Sequence, residues 1–218
     1  MTHRRVSPKL TIESAWVTLA SRPSLQDLAD SVRFLAMALN PKQGAVVRSA
    51  LVAVIIVAAA VSASRLIPSA ALPLDQPAAR IAWALPWAVL PLLTLMVSIM
   101  RVANHRFSTP EDIDGSGLTV GTPRVQVLRA ILQNTLEQAV LAVGGFLIGS
   151  VTLPHGWLGV IPVAALLFVI GRILFLVGYA SGAGGHALGF GLTAYPTFGL
   201  LITVAVILIM RAVGWLVQ

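Results

Sequence analysis

The chain contains no cysteine. That absence excludes disulfides, thiolate metal sites and a cysteine nucleophile, and it says little about compartment. Charge is almost as scarce: Asp, Glu, Lys and Arg together make up 11% of the residues. A soluble domain of 218 residues needs far more polar surface than this. Few alternating ten-residue apolar segments occur, which counts against a membrane β-barrel. No basic stripe with interleaved aromatics occurs either, so nucleic acid drops out as a partner. The four histidines are dispersed without metal-ligand spacing. His3 and His155 read as solvated. The acidic run "STPEDIDG" lacks the other loop ligands and the terminal glutamate of a calcium loop. It reads instead as a helix start, with Thr109 as N-cap, Pro110 at the first helical position and acids in the first turn. The glycine-rich "SGAGGHALGFG" follows a membrane helix and not a strand, so it is no dinucleotide fingerprint. It reads as a loop folded tightly at the headgroup level, whose backbone N–H groups can reach an anion.

What the chain has in abundance is apolar length. Hydrophobic residues make up 57% of it, and the mean hydropathy is +0.87. The class is therefore an all-α integral membrane protein, since helices satisfy their own backbone in lipid. Five spans are expected, near residues 45–64, 81–100, 125–151, 158–180 and 195–215. The second holds Pro86 and Pro91, which suggests a kink packed against neighbours. Trp83, Trp87, Trp157 and Trp215 fall near span ends, as an interfacial belt requires. Residues 1–43 differ. Leu25, Leu28, Val32, Leu35 and Leu39 recur near helical spacing, with Ser24 and Asp27 as start signals and Pro41 as a stop. That segment reads either as an amphipathic helix on the inner membrane surface or as a solvated tail. Residues 44–80 hold the first span and its following loop. The first span reads as an uncleaved anchor, because a secretory signal would place its apolar core nearer the N-terminus.

The formal charge of +7 reads as topology and headgroup attraction. Basic residues in the N-terminal segment and in the 101–124 loop place both in the cytoplasm, together with the 181–194 loop. The C-terminus then falls outside, and Arg211 opposes this assignment weakly.

The third span raises the functional question. Arg129, Gln133 and Glu137 are spaced by four, beside a row formed by Gln126, Ala130, Asn134 and Gln138. Together they make one polar stripe on a membrane helix. Further along, Gly145 and Gly149 form a small-xxx-small pair for close helix approach. Glu137 sits on the order of 18 Å into its helix. A charge at that depth costs roughly 2.5–3.5 kcal/mol and calls for a partner. Arg172 is the comparable cation, and Tyr179 lies on the same face of the fourth span. The short "TLPHGW" connection makes the third and fourth spans antiparallel neighbours, so a Glu137–Arg172 pair extended by Asn134 and Gln133 is expected. Three readings fit the stripe: polar glue between helices, a ligand or catalytic pocket, and an ion or proton pathway.

"NHRFSTPEDIDG", then "LQNTLEQ", then "GRILFLVGYASGAGGHALGFG" together resemble the MAPEG family, the membrane-associated proteins in eicosanoid and glutathione metabolism. The resemblance covers roughly residues 81–215, the last four spans. It implies an antiparallel four-helix transmembrane bundle, here with one additional N-terminal transmembrane helix, assembled as a homotrimer with glutathione bound between subunits. It also implies the site residues. Asn134 and Glu137 match the family's asparagine and glutamate toward glutathione's polar backbone, with Gln133 beside them. Arg172 matches a buried arginine, and Tyr179 the tyrosine one face-repeat later. Arg129 lies one residue out of register with a family arginine, whose place Ala130 takes. His186 stands where many members have an arginine near the thiol, and Phe175 where some have a histidine. An arginine is always charged and a histidine is not, so these departures remove fixed positive charge from the thiol's surroundings.

The reading is thus a polytopic protein, of a bacterial inner membrane, that conjugates glutathione or a related thiol to a hydrophobic electrophile entering from membrane lipid. Arg129, Gln133, Asn134, Glu137 and Arg172 would hold the thiol compound; Tyr179 and His186 would donate to or stabilise the thiolate. The rival is a non-enzymatic lipid-binding or scaffold protein whose stripe fixes trimer assembly. A proton relay through Glu137 is a third reading, with one buried acid and one buried base.

Overall fold

The computed structural model describes residues 40–68, 72–73, 76–115 and 118–216, together with Gln26. The chain divides into two compact units, residues 1–44 and 45–218. The amphipathic stretch beginning at Ser24 lies outside the described residues up to Asn40, Gln26 excepted. Every regular element among the described residues is helical. The five long helices are α1 (Pro41–Ala63), α2 (Pro77–Ser108), α3 (Pro123–Thr152), α4 (Val160–Gly178) and α5 (Ala183–Leu216). Each is long and apolar enough to cross a membrane. The protein is an all-α membrane bundle.

Local sequence explains where the helices start. Asn40 and Gln43 exchange side-chain and backbone bonds of 2.9 Å each at the head of α1, a reciprocal cap ahead of Pro41. At the head of α3, the Thr122 hydroxyl accepts from the Val125 N–H, with Pro123 at the first helical position. Thr109 precedes a single 3₁₀ turn, Pro110–Asp112, but its side chain makes no capping bond there. α2 runs on through Pro86 and Pro91.

α5 departs from the sequence reading. It starts at Ala183, about three turns ahead of the expected residue 195, so the glycine-rich run is helix and not loop. Only Gly182, at φ +78°, turns the chain. The other glycines serve close approach. A Cβ on Gly189 would strike the Phe175 backbone nitrogen, and would lie 2.6 Å from the Gly171 carbonyl oxygen. One on Gly171 would lie 2.8 Å from the Gly189 carbonyl oxygen. Helical glycine costs about 1 kcal/mol against alanine. Here that cost is offset by backbones packing directly on one another, as small residues allow in membranes.

α2 packs along α3 and α4 along α5, while α2 also meets α4 and α3 meets α5. The shared core includes Ala84, Ala142, Phe146, Ile161, Phe168 and Leu200. α3 and α4 are sequential but sit diagonally and touch only briefly, which corrects the neighbour relation inferred from their short connection. Gly145 and Gly149 face α5: their Cβ positions would meet Leu200 at 3.6 and 3.0 Å. α1 lies outside the four, placing Ala53 and Val57 against Leu167 of α4 and Leu192 of α5.

Two arginines close the C-terminal end of α3, where the last carbonyls have no helical partner. Arg80 of α2 donates to the Leu153 and Ser150 carbonyls at 2.9 and 3.3 Å. Arg211 of α5 donates to the Thr152 carbonyl at 3.1 Å. Cations there also suit the helix dipole. The position of Arg211, awkward for a charge-topology rule, has this local cause.

The α2–α3 connection is held by Asp112, only 2% exposed. One carboxylate oxygen accepts from the Thr122 N–H at 2.8 Å. The other accepts from the Thr122 hydroxyl at 2.6 Å and contacts His105 Nε2 at 3.0 Å. Withdrawal from water pushes this carboxyl up, but the two Thr122 bonds and His105 outweigh it and hold Asp112 below the ordinary aspartate value. A folded value below the unfolded one stabilises the loop at neutral pH, and the contribution is lost as pH falls through the lowered value. The protection factor of the Thr122 amide, which removes the intrinsic pH dependence of exchange, should therefore be high at pH 7 and fall as the pH drops through the lowered Asp112 value. In Asp112→Asn it should be low at both.

Candidate functional site

A cavity of about 530 Å³ opens between α1, α3, α4 and α5, at the end of the bundle that carries the α4–α5 turn. Its polar lining comes from Asn134, Tyr179, His186 and Tyr195; Phe175 and Phe190 are its large apolar members. The positions follow from the helices. Asn134 lies three turns into α3. Tyr179 opens the 3₁₀ turn that ends α4, and His186 lies in the first turn of α5, four residues past the Gly182 bend. The bend folds these two rings together. They stack at 4.9 Å between centroids with 19° between planes. Phe175 meets both edge-on, at 5.4 Å from Tyr179 and 5.1 Å from His186. His186 Nδ1 is buried without a hydrogen-bond partner.

Arg172 stands behind this wall, 1% exposed. It donates to the Asn134 side-chain oxygen at 2.8 Å and to the Thr193 hydroxyl at 2.6 Å, and lies 3.5 Å from the Thr135 hydroxyl. Phe175 covers its guanidinium face at 4.5 Å. Glu137 is not its partner, which corrects the pairing expected from sequence. Among the described residues no carboxylate is within ion-pair distance of Arg172. Glu137 accepts from Gln133 Nε2 at 2.9 Å on an exposed face of α3. The physical reason is the diagonal placement of α3 and α4. Asn134 turns inward toward Arg172, while Gln133 and Glu137, one helical row away, turn outward. Since Arg172 holds the Asn134 carbonyl oxygen, what Asn134 offers a guest is its NH₂ group.

Of the residues singled out from sequence, Asn134, Tyr179 and His186 line one cavity, with Arg172 fixing Asn134 from behind. Gln133 and Glu137 lie on the outer face. Arg129 lies beside a small crevice at the α2–α3 loop that Asp112 and Gly121 also line. Sequence reasoning misses Thr193, the shortest contact of Arg172, because a fifth span near 195–215 begins after it. It also missed Val46 and Ala50 of α1 in the lining, as well as Phe190 and Tyr195. A Gly-x₃-Thr spacing at 189 and 193 was the available signal, once that run is read as helix.

The arrangement provides an N–H donor group, two phenols and an imidazole around a partly apolar space. Such a set can orient a polar guest and stabilise negative charge on a sulfur or oxygen. Among the described residues there is no His/Asp/Glu cluster able to hold a metal.

No curated protein and no solved structure matches the chain. The model of the MAPEG family matches residues 46–206. The match begins inside α1 and ends in α5, so it takes in all four helices around the cavity and well over half of the sequence. The chain belongs to the MAPEG family.

Proposed function

We propose that this membrane protein conjugates glutathione, or a related thiol, to a hydrophobic electrophile in the cavity of Asn134, Tyr179 and His186. The observation that carries the reading is the Tyr179–His186 stack on the cavity wall, with His186 Nδ1 buried and lacking a partner. A buried polar atom of that kind is costly unless a guest satisfies it. The thiol compound supplies the nucleophilic sulfur. The Asn134 NH₂ group would hold its polar backbone, and Arg172 acts through Asn134 by fixing the amide's orientation. The Tyr179 hydroxyl and the His186 ring would stabilise the thiolate. Phe175, Phe190 and Ala187 keep water from the reacting centre.

The assembly belongs to the same proposal. Arg129, Gln133 and Glu137 form an outward polar row on a membrane helix, and lipid tails are a poor surrounding for a carboxylate. A second and third copy of the chain, in a homotrimer, would give that row protein to face and could bring Glu137 to a neighbour's cavity. A non-enzymatic lipid-binding or scaffold role is the second reading. Ala130 and Phe175 favour it, since neither brings a charged donor to the cavity.

Calorimetry with glutathione on the purified protein should give saturable heat. Asn134→Ala should weaken binding roughly tenfold, the loss of one or two hydrogen bonds. His186→Ala should lower kcat/KM toward a halodinitrobenzene by about a hundredfold and abolish the ultraviolet absorbance of bound thiolate, with little change in affinity. Absence of heat at millimolar glutathione would reject the enzyme reading. Glu137→Ala should shift native mass spectra from trimer toward monomer; an unchanged trimer would remove the stripe's role in assembly.

A further inference from the structure

A groove of about 270 Å³ lies between α2 and α4, and none of its lining residues belongs to the thiol cavity. Leu90, Leu93 and Val97 of α2 and Val169, Ile173 and Leu176 of α4 make it apolar. It follows each helix for about two turns, roughly 10 Å. Leu93, Val97 and Ile173 are exposed, so the groove opens outward from the bundle. Both of its helices are long and apolar enough to cross a membrane. The two remaining lining residues are polar, Thr94 and Arg172. The Thr94 hydroxyl donates to the Pro91 carbonyl of its own helix at 2.8 Å, so its proton is spent. Arg172 is different. One terminal nitrogen donates to Asn134 and the other to Thr193, but Nε is buried and has no hydrogen-bond partner. The acceptors it does have are neutral, so its charge is also unmatched among the described residues. A buried N–H without an acceptor is costly, and a buried charge without a counter-ion more so.

From this we infer that the α2–α4 groove binds a single-chain lipid with an anionic head, a fatty carboxylate. Its head pairs with Arg172 through Nε, and its chain lies along Leu93, Val97 and Ile173. The inference does not rest on the thiol-conjugating reading. Charge complementarity selects this occupant over others. The acyl chain of a phospholipid would fill the trough but bring no acceptor to Nε. A fatty alcohol would bring an acceptor but no charge. A water-soluble anion has no route, because Arg172 lies about 18 Å along α4 from Val160, at the depth of the lipid chains. A carboxylate on its own apolar chain partitions to that depth and meets both needs with one charge-assisted bond. The outward polar row of Arg129, Gln133 and Glu137 is on α3, so the groove and the proposed contact between copies use different helices.

The test compares head groups on one chain length. The full chain would be placed in phosphatidylcholine nanodiscs and titrated with oleic acid carrying carbon-13 at its carboxyl. A saturable signal is expected, separate from that of acid dissolved in the bilayer. It should hold the ionised position at a pH where the dissolved pool protonates, since an adjacent cation favours the charged form. Oleyl alcohol at about tenfold excess should leave it in place. Thr94→Phe fills the groove and spares the bonds of Arg172 to Asn134 and Thr193; it should weaken the site at least tenfold. Arg172→Gln should abolish the held signal. If either variant fails to fold, the comparison of acid with alcohol in the parent protein decides. A single carboxyl signal that titrates with the bilayer pool would overturn the inference. Displacement by the alcohol on equal terms would overturn it too, as would an unchanged site in folded Thr94→Phe.

Discussion

The guanidinium of Arg172 is the constraint around which the four-helix bundle is arranged. It is buried in the middle of the protein, always charged, and met only by neutral oxygens of Asn134, Thr135 and Thr193 among the described residues. A charge at that depth costs roughly 2.5–3.5 kcal/mol on insertion scales. Two short bonds from a charged donor, each worth about 1.5–3 kcal/mol, offset that cost. The Phe175 face at 4.5 Å adds a cation–π contribution of about 1 kcal/mol. The bonds tie α4 to α3 on one side and to α5 on the other, adding a polar link to the apolar core that the diagonal pair α3 and α4 shares. Removing either acceptor leaves a buried charge short of partners, which is the expensive direction.

The same geometry shapes the cavity. Arg172 fixes the Asn134 side-chain carbonyl, and that leaves the amide's donors for the cavity. The glycine contacts between α4 and α5 bring the two helices close enough for Thr193 to reach Arg172 and for His186 to stack on Tyr179. A larger residue at 189 would push α5 away and separate both pairs together. Site and fold thus share one set of contacts, and the polar wall is rigid because the bundle's core interaction passes directly behind it.

Much of this was legible in the sequence. Apolar length gave five spans, and each falls on one of the five long helices, with 45–64 and 158–180 running one or two residues past the ends of α1 and α4. The common face of Arg172 and Tyr179 followed from helical spacing, and the burial of Arg172 from the family resemblance. Gly145 and Gly149 were rightly read as facing protein. What failed did so for physical reasons. A carboxylate and a guanidinium in one apolar chain invite pairing, but pairing depends on which helices are adjacent, and a short connection does not decide that in a bundle. Glycines were read as a loop because their cost in a helix is local and visible. Their benefit, the close approach of a second backbone, is distant in sequence. The role of Arg211 was hidden likewise, since its partner is a carbonyl 59 residues away. The lining contributed by α1 could not be read at all, because Val46 and Ala50 carry no chemical signature.

The most direct test of the account is a pair of double-mutant cycles on the free energy of unfolding, one for Arg172→Gln with Asn134→Ala and one for Arg172→Gln with Glu137→Ala. Anchoring by neutral acceptors predicts a coupling of about 1 kcal/mol or more in the first cycle and close to none in the second. Strong coupling to Glu137 with none to Asn134 would contradict it.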